Sequence, residues 1–144
     1  MKLLVQRVRK AAVDVGGERI ASIQRGLLIL VGVAPTDGIE QIRWLVDKTL
    51  GLRIFPGDGK DMNRSVVDIG GEVLVVSQFT LMADTGRGKR PGFSNAASPE
   101  VAAARYEELI ALMRRQVAVQ TGRFGADMQV SLVNDGPVTL MLER

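Results

Sequence analysis

The stretch Ser77-Gln78-Phe79-Thr80-Leu81 places two hydroxyls, an amide and an aromatic ring within five residues. It directly follows Val73-Leu74-Val75-Val76, an apolar run that is typical of a strand buried on both faces. Hydroxyl and amide groups at the end of a rigid strand can bind a polar substrate or position a nucleophile. The same residue types also satisfy backbone groups in ordinary turns. Local sequence therefore leaves both a functional site and a simple turn open.

Histidine and cysteine are both absent from the 144 residues. Their absence excludes Ser-His and Cys-His nucleophile pairs, ordinary zinc sites and disulfide bonds. Catalysis would then depend on carboxylates, hydroxyls, backbone dipoles, a lysine or arginine, or the substrate itself. We expect neither a metal nor a cofactor.

The lack of cysteine also favours a cytoplasmic location. The N-terminal segment becomes charged too early for a signal peptide. No stretch approaches the roughly 18 uninterrupted apolar residues that a membrane helix needs. We therefore expect a protein without a membrane partner.

A polar loop without apolar periodicity follows the hydroxyl-bearing segment and carries Arg87, Lys89 and Arg90. The net charge of +3 and the isoelectric point near 9.7 are compatible with nucleic acid as a ligand without requiring it. The three cations are candidates for phosphate contacts. A solvated loop without a ligand is equally consistent with the sequence.

Two periodic segments predict the helices that would support such a site. Apolar residues at helical spacing predict a helix from 37 to 50, with Asp37 and Glu40 as a capping box and Gly51 as a left-handed residue after its end. Ser98-Pro99-Glu100 is a typical helix start, and the apolar face of this second helix continues to Val117.

The remaining apolar runs predict strands. They cover residues 3–8, 11–15, 19–23, 27–33, 52–55, 73–76, 128–133 and 138–142. Asn134-Asp135-Gly136-Pro137 is expected to be the turn between the last two. The predicted fold class is α+β, with antiparallel or mixed β-sheets covered by two main helices in one domain, residues 1–144. A Rossmann fold is excluded because strands and helices do not alternate.

Gly136-Pro137 is the second unusual feature of the sequence. Only about 5–6% of Xaa-Pro bonds in folded proteins are cis, so local sequence favours an ordinary trans bond. Glycine before proline relaxes the steric limits that other residues meet at that position.

Taken together, Ser77-Gln78-Phe79-Thr80-Leu81 and Asn134-Asp135-Gly136-Pro137-Val138-Thr139 resemble the two motifs of the D-aminoacyl-tRNA deacylases, also known as the D-tyrosyl-tRNA deacylase family. The resemblance begins at Gln6-Arg7-Val8 and includes Phe124-Gly125-Ala126-Asp127-Met128, so it covers essentially the whole chain. One departure is Gly59-Lys60-Asp61-Met62-Asn63, where the family usually runs Gly-Lys-Met-Asn. The extra residue lies in a predicted loop and touches neither motif.

The resemblance implies a homodimer whose active site lies at the subunit interface. Ser77-Gln78-Phe79-Thr80 corresponds to the family's catalytic segment. Gly136-Pro137 would have a cis bond and insert into the partner's pocket, where it selects between enantiomers, and Arg7 would hold that pair in place. The expectation from the family replaces the trans bond that local sequence favours.

The implied reaction is hydrolysis of D-aminoacyl-tRNA, and of glycyl-tRNA mischarged on alanine tRNA, with rejection of L-aminoacyl-tRNA. Thr80 as a nucleophile would need a base, and the sequence offers no histidine and no obvious lysine beside it. We prefer the interpretation in which the 2′-hydroxyl of the tRNA assists the attacking water. Backbone N–H groups around Phe79 and Thr80 would then polarise the ester carbonyl.

Phe79 and Phe93 are expected to line the pocket for the terminal adenosine, although a core role for either is equally consistent with the sequence. Met128 and Gln129 are expected to border the same pocket.

Two other functions remain: a non-catalytic RNA-binding dimer of the same fold and a structural dimer with a degenerate site. The first would need several exposed aromatic residues for base stacking, and aromatic residues make up only 4% of the chain. A deacylation assay with D-aminoacyl-tRNA separates the three.

Overall fold

The computed structural model describes residues 1–86 and 88–144. In this part of the chain the elements are β1 (Lys2–Val15), β2 (Glu18–Ile23), β3 (Gly26–Gly32), α1 (Ile39–Gly51), β4 (Phe55–Gly57), β5 (Lys60–Arg64), β6 (Glu72–Ser77), a 3₁₀ helix (Phe79–Met82), α2 (Pro99–Met113), β7 (Ala118–Thr121) and β8 (Gln129–Glu143). Neither α1 nor α2, the α-helices of the described residues, is long and apolar enough to cross a membrane.

The long strand β1 organises the sheet because it pairs along both of its edges. On one edge it pairs antiparallel with β3 through residues 2–8 and with β2 through residues 11–15. On the other edge it pairs antiparallel with β8. β6 continues the sheet parallel to β3, and β7 lies parallel to β6, while β4 and β5 form a separate hairpin. The predicted α+β fold with a mixed sheet and two main helices is confirmed.

The central strands β3 and β6 contribute to two cores because successive side chains of a strand point to opposite faces. On one face, Ile29 and Val75 pack in a cluster that includes Leu45 of α1 and Leu109 of α2. On the other face, Leu74 packs in a second cluster with residues of β1 and β2. The sheet therefore has a nearly barrel-like form and holds β6 buried on both faces, as its apolar run predicted.

The start of α1 differs from the prediction. Asp37 does not cap the helix, because its carboxylate accepts a hydrogen bond from the buried Met1 ammonium at 2.6 Å. Gly38 is the N-cap residue, and its N–H donates to the side-chain oxygen of Gln41 at 3.0 Å. Gly51 is the last helical residue and has no positive φ. The predicted capping box and left-handed glycine are therefore wrong.

Two strands of the structure, β5 and β7, were not predicted from the sequence. α2 ends at Met113, four residues before the predicted end of its apolar face at Val117. The chain then enters β7, whose residues alternate between exposed and half-buried at the edge of the sheet. β5 also lies in a segment that was predicted to be a loop. Both are short and contain a single large apolar residue, Met62 in β5 and Val119 in β7, so their strand conformation depends on pairing with a neighbour rather than on a hydrophobic pattern.

β8 is one strand where two strands and a turn were predicted. Val8 of β1 pairs with Asn134, and Gln6 pairs with Thr139. Four residues of β8 therefore lie opposite one residue of β1 and bulge from the ladder. The turn prediction is wrong because both halves of β8 continue along the same edge of β1.

Candidate active site

A largely apolar cleft of about 550 Å³ lies where β6 ends. Its walls come from segments that are far apart in sequence: residues 76–79 at the end of β6, residues 93, 96 and 97 before α2, and residues 124–128 before β8. Tyr106 of α2 also contacts the cleft. Of the residues predicted from sequence, the fold brings Ser77, Gln78, Phe79, Phe93 and Met128 together here.

The end of β6 turns directly into the 3₁₀ helix. The Gln78 N–H still donates to the Val31 carbonyl of β3 at 2.7 Å, which ties the segment to the sheet. The next bond, from the Leu81 N–H to the Gln78 carbonyl at 3.1 Å, already belongs to the helical turn. The N–H groups of Phe79 and Thr80 precede it and, like other first-turn donors, have no acceptor within the helix. Of these two residues, Phe79 lines the cleft and Thr80 follows it directly.

The Thr80 side chain is exposed and does not line the cleft. Its hydroxyl oxygen accepts a hydrogen bond from the Gln78 side-chain amide. An amide donor does not remove a proton from a hydroxyl, so this contact does not activate Thr80 as a nucleophile. Among the described residues that line the cleft, the titratable side chains are Tyr106 and Asp127.

Tyr106 is not suited to act as a base. Its hydroxyl is buried and donates to the Val75 carbonyl at 2.8 Å. Burial is the main cause that raises the pKa of the Tyr106 phenol above its ordinary value, and the nearby carboxylate of Glu107 adds to the effect. Tyr106 therefore stays protonated and supports the floor of the cleft.

We expect Tyr106→Phe to lower the free energy of unfolding by about 1 kcal/mol at neutral pH. The loss is small because the Val75 carbonyl also accepts from the Gly122 N–H at 2.9 Å and stays paired. The unfolded tyrosine ionises near pH 10 while the folded one stays neutral, so the advantage of the wild type should fall above about pH 10. Urea unfolding of both proteins, from neutral pH to above pH 10, measures the difference between their free energies of unfolding. A difference that stays constant or grows with pH would contradict a Tyr106 phenol that stays protonated in the folded state.

Aromatic rings form the outer wall of the cleft. Phe79 is 57% exposed and Phe93 is 38% exposed, and their ring centroids lie 4.9 Å apart in an edge-to-face arrangement. Phe124 lies 5.9 Å from Tyr106 between ring centroids. The two predicted phenylalanines therefore belong to the cleft surface and not to the closed core, and they offer a face on which a flat ring can pack.

The basic loop beside this wall is closed at its base by Asp84 and Gly92, whose backbone groups exchange hydrogen bonds of 2.8 and 2.9 Å. Lys89 and Arg90 are exposed in the loop. Arg87, the third predicted phosphate contact, lies outside the described residues. Gln129, predicted at the border of the pocket, is the exposed first residue of β8 and does not line the cleft.

The Gly136-Pro137 pair forms the bulge of β8, and its peptide bond is cis, as the family resemblance implied. Both residues are exposed and do not line the cleft of their own chain. Gly136 has a φ of +128°, a conformation that L side chains rarely adopt. The bulge is closed by the Asn134 side chain, which accepts from the Val138 N–H at 3.0 Å and donates to the Thr139 hydroxyl at 2.8 Å.

Arg7 lies directly against this bulge. It is 7% exposed, and its guanidinium donates to the Asp135 carbonyl at 2.9 Å and to the Ile54 carbonyl. A Cβ placed on Gly136 would meet the Arg7 guanidinium at 2.8 Å. The expected contact between Arg7 and the Gly-Pro pair is therefore present within one chain.

The wall formed by residues 124–128 contains site residues that sequence reasoning did not assign. Gly125, Ala126 and Asp127 line the cleft beside the predicted Met128. The family resemblance includes this segment and could have pointed to it. By residue type alone, two small residues and one carboxylate do not indicate a specific role.

Comparisons with known proteins identify the family to which the sequence is similar. The chain matches the sequence model of the family described as D-Tyr-tRNA(Tyr) deacylase over residues 4–143. It is 55% identical over 144 residues to a D-aminoacyl-tRNA deacylase of Pseudomonas aeruginosa, with 99% of each chain covered. It is 54% identical over 145 residues to a D-aminoacyl-tRNA deacylase of Chlorobaculum parvum, with 99% of this chain and 97% of the relative covered.

Two solved structures have the same fold. One, described as a c-Myc DNA Unwinding Element Binding Protein, superposes with a TM-score of 0.95 at 41% identity over 100% of this chain and 99% of the other. A probable eukaryotic D-amino acid tRNA deacylase superposes with a TM-score of 0.82 over 98% of this chain and 97% of the other. At 18% identity, that second likeness concerns the fold alone. The match to the family along nearly the whole sequence shows that this chain belongs to the D-aminoacyl-tRNA deacylase family.

Proposed function

We propose that this protein is a cytoplasmic homodimer that hydrolyses the ester bond of D-aminoacyl-tRNA and releases free tRNA and the D-amino acid. The observation that carries the proposal is the division of the site within one chain. The cleft contains the family's Ser77-Gln78-Phe79 segment, while Gly136-Pro137 stands exposed on a bulge outside it. A second copy that inserts its bulge into the cleft would complete the site.

The chemistry proposed for the cleft depends on the backbone. The N–H groups of Phe79 and Thr80 would donate to the carbonyl oxygen of the ester as negative charge develops on it. Among the described residues that line the cleft there is no histidine, lysine or arginine, and the one carboxylate, Asp127, is exposed. The 2′-hydroxyl, which neighbours the ester on the terminal ribose, would then assist the attacking water.

The aromatic wall suits the adenosine at the end of the tRNA. The exposed faces of Phe79 and Phe93 would pack against the adenine, since base stacking on aromatic side chains is a common mode of RNA recognition. Met128 would border the same pocket. Lys89 and Arg90, with Arg87 assigned from sequence alone, would contact backbone phosphates.

The Gly136-Pro137 bulge would select the enantiomer by exclusion. Packed against the α-carbon of the ester, a main-chain wedge leaves no room for an L side chain, while a D side chain points away. Glycyl-tRNA mischarged on alanine tRNA has no side chain to exclude and would also be hydrolysed.

The corresponding test compares the hydrolysis of D-alanyl-, L-alanyl- and glycyl-tRNA that share one tRNA. Forcing a side chain into a packed site costs about 1–3 kcal/mol, so we expect the L ester to react about 5- to 150-fold more slowly than the D ester, with glycine close to D. The L ester incubated without enzyme is the control for spontaneous hydrolysis. Equal rates for the D and L esters would reject the wedge.

A second candidate is nucleic-acid binding without catalysis, which the name of the 41% identical structural relative favours. The exposed Lys89 and Arg90 fit that candidate too. It predicts binding of uncharged tRNA and no hydrolysis of D-aminoacyl-tRNA above the rate without protein. The assay described above separates the two functions directly.

A further inference from the structure

A second cavity of about 480 Å³ lies beside the Gly136-Pro137 bulge, away from the cleft. Its lining residues are Arg7, Arg9, Arg25, Pro56 and Asp135. Three of the five are arginines that come from two separate parts of the chain, namely β1 and the turn between β2 and β3. The family resemblance gives Arg7 a role beside the Gly136-Pro137 pair, but nothing proposed above gives a role to Arg9 or Arg25.

The charges in this cavity are not balanced. The Asp135 carboxylate is shared, with one oxygen 3.2 Å from Arg9 Nε and the other 3.6 Å from Arg7 Nε. The Arg25 guanidinium lies over the Phe55 ring, 5.6 Å from its centroid, and forms no ion pair with the described residues. Three guanidinium groups thus face one carboxylate, which leaves a surplus of two positive charges.

The individual arginines differ in their freedom to bind a ligand. Arg7 is buried and uses its donors on two backbone carbonyls. The Arg9 side chain is 76% exposed, and its ion pair with Asp135 uses Nε. Arg25 lies over the Phe55 ring and forms no ion pair with the described residues, so its guanidinium donors can bind an anion. Guanidinium groups presented in this way favour the bidentate binding of phosphate oxygens.

We propose that Arg9 and Arg25 bind phosphodiester groups of the RNA strand that precedes the terminal adenosine of the substrate. This inference rests on the proposed function: if the bulge enters the partner's cleft, the cavity next to it comes to lie beside the 3′ end of the RNA bound there. Each subunit would then supply both the wedge and the phosphate contacts for the substrate held by the other.

The test uses Arg9→Gln, Arg25→Gln and the double variant with two substrates, D-tyrosyl-tRNA and the D-tyrosyl ester of adenosine, which has no phosphate. A single-strand phosphate contact contributes about 0.7 to the salt slope, equivalent to about fivefold in affinity at 0.1 M salt. We expect KM for D-tyrosyl-tRNA to rise about fivefold for each arginine, with a shallower salt dependence. KM for the adenosine ester should not change. Arg43→Gln, on the exposed side of α1, is the charge-matched control.

The outcomes are distinguishable. An unchanged KM for D-tyrosyl-tRNA in the double variant would overturn this inference while leaving the proposed function intact. An equal loss on both substrates would also overturn it, because the arginines would then act through the shape of the bulge. If the wild type hydrolyses neither substrate, the proposed function itself fails.

Discussion

D-aminoacyl-tRNA whose terminal adenosine lacks the 2′-hydroxyl is expected to react about 10²- to 10⁴-fold more slowly than the matched ribose substrate. The reason is the chemistry of the cleft: among the described residues that line it, Tyr106 is protonated and already donates to the Val75 carbonyl, which leaves the exposed Asp127 carboxylate as the one side chain that could compete with the 2′-hydroxyl for the role of base. If the 2′-hydroxyl of the substrate assists the attacking water, removing that hydroxyl should slow hydrolysis about as much as removing a general base would. Single-turnover hydrolysis with saturating enzyme measures the effect without a contribution from binding.

The matched protein change is Thr80→Ala, which we expect to keep substantial activity. The Thr80 hydroxyl is exposed and accepts from the Gln78 amide, while the N–H of residue 80 survives the substitution. Circular dichroism and tRNA binding control for folding and substrate capture. Loss of nearly all turnover in a folded, tRNA-binding Thr80→Ala protein would instead identify Thr80 as the nucleophile. A deoxy substrate that reacts at the full rate would reject assistance by the 2′-hydroxyl.

Gly136→Ala is expected to lower kcat/KM for D-aminoacyl-tRNA by about 100-fold, because a misplacement of about 1 Å in a positioned group costs about that much. The added Cβ would lie 2.8 Å from the Arg7 guanidinium and 2.9 Å from the Val138 side chain, at a φ of +128°. The bulge must shift to relieve these contacts. Because it is exposed, we expect the shift to cost no more than about 3 kcal/mol of stability. Steady-state kinetics and thermal unfolding of the same preparation measure both effects.

Gly70→Ala is the control for backbone strain alone. Gly70 also has a positive φ, +60°, but an added Cβ would meet nothing within 4 Å. It should lose some stability and keep its kcat/KM and its preference for D over L esters. Wild-type kinetics in Gly136→Ala would show that the bulge does not contribute to the site.

Much of the framework followed from patterns that are local in sequence. The apolar run before Ser77 predicted a buried strand, and β6 is buried on both faces because β3 and β7 flank it in a sheet with cores on each side. Helical spacing located α1 and α2, since an amphipathic period reports the face that must be buried. Cap residues were less reliable: the Asp37 carboxylate pairs with the Met1 ammonium, a partner 36 residues away.

The strands that local patterns missed or divided were those stabilised mainly by pairing. β7 has alternating but weakly buried residues, and its conformation depends on the neighbouring β6. The two predicted strands around Gly136-Pro137 are one strand because β1 supplies a continuous partner along both halves. Periodicity contains no information about which edge a segment will meet.

The sequence by itself determined the hydroxyl-bearing segment at the end of a buried strand, the absence of histidine and cysteine chemistry, and the pair of motifs that places the chain in its family. Only the tertiary structure decided that residues 124–128 line the same cleft as Phe93, and that Gly136-Pro137 lies outside the cleft of its own chain. These placements depend on the pairing of β1 with β8, strands at opposite ends of the chain. Contacts between strands so far apart in sequence form only when the whole sheet assembles, so no local sequence pattern could predict them.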